Sequence, residues 1–131
     1  MKVKRLYKVL LIILCITMLG GCGAKKLSSA YSEDKLKAAS EEIINDLNNE
    51  KYDDVVAKLN KDLKKDLPAS KLKEVCSNFK NLGKYDSISK IVFQEEKDYV
   101  VVISIAKYEK GKVQFTLSFN KNMELVGIYM K

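Results

Sequence analysis

Along the chain, apolar residues fall into three regimes. Residues 9–19 (VLLIILCITML) form a mostly aliphatic run with no charge in it. From Ser32 the spacing becomes helical: Leu36, Ala39, Ile43, Ile44 and Leu47 recur at offsets of three, four and one and build a single stripe. Ser32 supplies an N-cap, with Glu33 and Asp34 placed favourably against the helix dipole, and Asn48 and Asn49 end the helix. A second helix is predicted from Asp53, with Val55, Val56, Leu59, Leu63 and Leu67 along one face until Pro68 prevents its continuation. The third, over residues 69–81, turns Leu72, Val75, Cys76 and Phe79 inward and stops at Gly83, read as a left-handed cap.

Beyond Gly83 the period drops to two and the composition turns β-branched and aromatic. Strands are predicted over residues 85–94, 98–108, 112–119 and 123–130, joined by short polar links that favour an antiparallel meander. Val113, Phe115, Leu117 and Phe119 alternate with Lys112, Gln114, Thr116 and Ser118, so one face of the third strand is buried and the other wet. Val100 to Ile103 are apolar on both faces, which suits a central strand, and Gly127 marks a bulge or bend in the last. Three helices followed by four strands predict one α+β domain, its helices packed on one face of a curved sheet.

The apolar run changes character in context. Residues 1–8 carry Lys2, Lys4, Arg5 and Lys8, and small residues Gly20 and Gly21 follow the run, which is the order of a secretory leader. Eleven residues are too few for a span, which needs roughly 20. Leu19-Gly20-Gly21-Cys22 resembles the lipobox of bacterial lipoproteins, in which the cysteine accepts a diacylglyceryl group. The resemblance implies cleavage before Cys22, a lipidated tether over residues 22–32 and a domain over residues 33–131. Its expected location is the extracytoplasmic face of the cell membrane, held there by acyl chains such as palmitate on Cys22.

Charge then looks different. The chain has 24 basic and 17 acidic residues, but four of the basic ones leave with the leader, and the remaining 20 against 17 give +3. Arg5 is the only arginine, so nucleic acid, which is usually gripped by Arg, is not an expected partner. With no His, and with Cys76 the single thiol left after the leader is removed and Cys22 is acylated, neither a metal, a cofactor nor an internal disulfide is expected. Eight lysines between Lys58 and Lys84 against three acids read as a solvated helix face.

From Asn48 to Lys131 the chain resembles the Gram-positive lipoprotein family known as domain of unknown function 3887. The likeness is carried by Lys51-Tyr52-Asp53-Asp54-Val55-Val56, Leu72-Lys73-Glu74-Val75 and Leu82-Gly83-Lys84-Tyr85. Val100-Val101-Val102, Lys110-Gly111-Lys112 and Val126-Gly127-Ile128-Tyr129 continue it. The resemblance implies the nuclear-transport-factor-2-like (cystatin-like) fold, a bent sheet wrapping a helix into a cone, and implies no reaction.

Isomerases and dehydratases of that shape need an inward carboxylate and a Tyr that polarises a carbonyl. Here Glu95, Glu96, Asp98, Glu109 and Glu124 fall at turns or strand ends, and Asp86 and Lys90, sharing a side with Ile88 and Val92, are expected at an exposed edge. Cys76 sits among apolar neighbours as an inert thiol. Tyr85, Tyr99, Tyr108 and Tyr129 are candidates to line a pocket or sheet face, against the plainer reading of half-buried sheet positions. The expectation is a non-catalytic tethered domain that binds a small ligand, a wall component or an envelope protein. The alternatives are a small isomerase-like or dehydratase-like enzyme and an accessory subunit of an envelope complex.

Overall fold

The computed structural model describes residues 27–131, and its first helix starts where the sequence places it. The hydroxyl oxygen of Ser32 accepts the Lys35 N–H at 3.4 Å and opens α1 (Glu33–Asn48), which buries Leu36, Ile43, Ile44 and Leu47. Cys22, Leu19, Gly20 and Gly21 lie outside the described residues.

The second predicted helix is two. α2 (Tyr52–Lys58) ends at Leu59, whose backbone is extended and bridges Leu125 in parallel, while the Asn60 N–H donates to the Leu125 carbonyl at 2.9 Å. A helix cannot pass through a residue paired in this way. Asn60 instead becomes the N-cap of α3 (Lys61–Asp66), its side-chain oxygen accepting the Leu63 N–H at 3.0 Å. α4 (Ala69–Ser77) follows Pro68 and is shorter than expected, a 3₁₀ turn at Lys80–Leu82 taking up the rest. The domain thus has four α-helices where three were expected. Gly83 has the positive φ foreseen for it, but φ 80 and ψ −154 belong to an extended turn into the sheet rather than a left-handed helix cap.

The sheet consists of β1 (Tyr85–Glu95), β2 (Tyr99–Tyr108), β3 (Gly111–Asn120) and β4 (Leu125–Met130), all antiparallel in the order 1-2-3-4. Its inner face pairs Val100 with Phe119, Val102 with Leu117, Ser104 with Phe115 and Ala106 with Val113, all of them buried. α1 supplies most of the apolar cover, joined by Val55 of α2 and Leu72 of α4. Each such fully buried aliphatic side chain contributes about 1.5–3 kcal/mol.

β1 departs from simple alternation. Register shifts between Tyr85 and Ser87 and between Ile88 and Lys90 leave Asp86 and Ser89 as extra residues, so the half-buried positions are Tyr85, Ile88, Ile91 and Phe93. Ile88 pairs with Ala106 on the inner face and Val92 with Ile103 on the outer, which corrects the expectation that they share a side. The bulge in the last strand pair lies between Ser118 and Phe119, beside Gly127. On the outer face Val92, Tyr99 and Tyr129 are 40, 40 and 60% exposed.

Candidate functional site

α1 and β2 end at the same end of the domain. There the Tyr108 hydroxyl donates to Asn48 Oδ1 at 2.6 Å. Beyond Asn48 the chain reverses through Glu50, whose φ is 60, and the Lys51 N–H returns to the Asp46 carbonyl at 2.8 Å. This reversal sends α2 back along the domain and places Tyr52, its first residue, under the end of α1.

The space so framed is a cavity of about 450 Å³. Buried Leu47, Tyr52 and Phe115 form its floor; Cys76, Phe79, Tyr108 and Met130 form its walls. Asn49, Glu50, Lys80 and Gly83, all exposed, form the rim, where the Lys80 ammonium lies 3.6 Å from the Glu50 carboxylate. Asn48 is the polar centre of the lining. Its side-chain oxygen is engaged by Tyr108, while its amide nitrogen is buried with no hydrogen-bond partner. A buried donor left unpaired costs about 1–3 kcal/mol, which a guest oxygen would recover once a small shift of the side chains uncovers the nitrogen.

The interior is uncharged at neutral pH. Burial pushes the Tyr52 phenol up, helped by the nearby Cys76 and Glu50. Burial likewise raises Tyr108, against the opposing effect of its bond to Asn48, and raises the Cys76 thiol. A thiol held protonated is a poor nucleophile. The lining therefore offers hydroxyl, amide and aromatic surface to an uncharged or weakly polar guest, with the Lys80–Glu50 pair at the entrance.

The four tyrosines singled out in the sequence separate into two pairs. Tyr108 lines the cavity, and Tyr85 meets it edge-on at 5.6 Å with the rings at 63°. Tyr99 and Tyr129 point the other way, on the outer face, paired with Asn120 and Thr116. Sequence reasoning missed Asn48, read only as a helix stop, and Tyr52. One signal was available: Asn48 follows Ile44 by four residues, so a polar side chain continues an apolar stripe.

A larger hollow of about 640 Å³ lies between α3 and α4, but Lys65, Asp66, Pro68, Ser70, Lys71 and Glu74 around it are all exposed, which makes it an open surface groove. Two of the eight clustered lysines are engaged. Lys58 contacts Glu42 and Asp46, each at 3.1 Å; burial alone would lower its ammonium, but the two carboxylates together outweigh this and raise it. Lys80 is the rim residue already described, and the other six are exposed.

A family model described as "Protein of unknown function (DUF3887)" matches residues 40–128, a stretch containing every lining residue of the cavity except Met130. Among solved structures, the NMR structure of a protein from Ruminococcus gnavus ATCC 29149 is similar, with a TM-score of 0.69 and 23% identity. The match covers 81% of this chain and 96% of that one. At that identity the likeness shows a shared fold. No curated protein matches the chain.

Proposed function

We propose that this chain, which belongs to the DUF3887 family of proteins of unknown function, is a non-catalytic, lipid-tethered domain of the bacterial cell envelope that binds a small ligand in the cavity beneath Asn48 and Tyr108. The observation that carries the ligand reading is the unpartnered amide nitrogen of Asn48 in a cavity whose floor and walls are otherwise apolar or neutral, its charges being confined to the rim. Rigid aromatic walls with one oriented polar group are the usual composition of a small-molecule site.

The envelope address is supported by the sequence: a basic end, a short apolar run, then Leu19-Gly20-Gly21-Cys22. The finer fold reading is the nuclear-transport-factor-2-like cone. It is supported by α1 lying along the inner face of the sheet, with a cavity where the helix and β2 end together.

A non-catalytic role is favoured by where the acids stand. An isomerase-like site needs a carboxylate facing a tyrosine inside the pocket. The carboxylate of this lining, Glu50, is at the rim and close to Lys80.

The test is a metabolite thermal-shift screen on residues 27–131, run beside the Asn48→Ala variant. A ligand that raises the melting temperature of the first and not of the second supports the reading; failure of every compound to distinguish them removes its support. For the tether, Cys22→Ala is expected to abolish incorporation of labelled fatty acid and to block processing, and unchanged labelling overturns the anchor.

A further inference from the structure

The cavity and the first described residues stand at opposite ends of the domain. Leu27 packs against the core, and the Ser28 N–H donates to the Glu95 carboxylate at 2.7 Å. Tyr31, only 8% exposed, returns its own N–H to the Ser28 carbonyl at 3.1 Å. From residue 27 onward, therefore, the chain is fastened to the end of the sheet that carries the β1–β2 turn.

α1 leads away from that end and reaches the cavity at Asn48; its 16 residues cover about 24 Å. β1 makes the return trip from Tyr85 to Glu95 in 11 residues, roughly 35 Å of strand. The chain between Cys22 and Leu27 is short by comparison. Its five peptide steps reach ~18 Å when fully extended.

We infer that the cavity mouth faces away from the membrane, so that the site takes water-soluble ligands from the wall side of the envelope and does not draw lipids from the bilayer. This rests on the lipid anchor at Cys22 proposed above. Turning the rim of Asn49, Glu50 and Lys80 onto the headgroups would require the tether to run the length of α1, and ~18 Å does not span about 24 Å. The geometry also assigns the membrane-proximal surface: the turns around Glu96, Lys97 and Asp98 and around Lys121 and Asn122.

The full lipidated chain, reconstituted in vesicles that carry a quencher on their headgroups, tests this directly. A fluorophore is placed on Lys97→Cys at one end or on Asn81→Cys beside the rim, each with Cys76→Ala to leave one reactive thiol. Strong quenching at position 97 with little at position 81 is expected. Lengthening the chain after Lys26 with a glycine–serine insert is expected to raise the quenching at position 81. Equal quenching at both positions with the native tether overturns the orientation while leaving the anchor standing. Failure of the chain to float with the vesicles overturns the anchor itself, and the orientation with it.

Discussion

The hydroxyl of Tyr108 donates to the side-chain oxygen of Asn48 at 2.6 Å, joining residues 60 apart in the chain and fastening the last turn of α1 to the last residue of β2. Both partners of this bond line the cavity. Tyr85 leans edge-on against the Tyr108 ring and limits how it can tilt. The amide of Asn48 is thereby held with its nitrogen free.

Tyr108→Phe is expected to destabilise the domain by about 1–2 kcal/mol, because it leaves the Asn48 oxygen as unpartnered as its nitrogen. Urea unfolding of Tyr108→Phe, Asn48→Ala and the double variant measures the coupling between them. Strict additivity of the two losses would mean that the bond does not hold the two elements together.

Leu72→Ala is expected to cost about 2–4 kcal/mol, since Leu72 is the one fully buried residue of α4. α4 also carries Cys76 into the cavity wall. Loosening it should therefore weaken ligand affinity together with the urea midpoint, whereas Lys73→Ala on the exposed side of the same helix should change neither.

At Gly83, φ 80 and ψ −154 suit glycine almost alone, and an added methyl would stand 3.0 Å from Glu109 Cβ. The same Glu109 carboxylate accepts the Lys84 N–H at 2.7 Å. Gly83→Ala is expected to destabilise by about 1–3 kcal/mol in thermal melts. A neutral effect would mean that the turn into β1 relaxes freely.

Acid is expected to loosen the segment around Ser28. The Ser28 backbone N–H holds the Glu95 carboxyl below the ordinary glutamate value, aided by the Ser28 side chain, opposed by desolvation and aided least by Lys121. A carboxyl depressed in the folded state contributes stability that is fully present above its unfolded value. That contribution is lost as pH falls through the lowered one. The Ser28 amide resonance should follow this titration in NMR spectra and cease to do so in Glu95→Gln; a Ser28 signal indifferent to pH would contradict it.

What could be read from the sequence was what depends on near neighbours. The cap at Ser32, the stripe of α1 and the alternation of β3 are local, and each is found in place. The break between α2 and α3 is not local. Leu59 fits the helical stripe perfectly well, and only its pairing with Leu125, far along the chain, forces the backbone out of the helix. The same holds for β1, whose extra residues at Asp86 and Ser89 are set by its fit to β2. At the site, Tyr108 was one of four strand tyrosines with nothing to say which of them faced inward, and Asn48 looked like punctuation. Their meeting is a product of the fold, and only the step from Ile44 to Asn48 hinted at it.

The two kinks in β1 reach beyond the domain itself. A flat, uninterrupted edge strand is a template on which a second molecule can hydrogen-bond, and copies crowded in one plane would find such a template readily. With its register broken at Asp86 and Ser89, β1 keeps an uninterrupted row only from Lys90 to Glu95, so the template it offers for cross-β stacking is cut to about half the strand. The irregularity that obscured the strand's pattern thus also guards against aggregation.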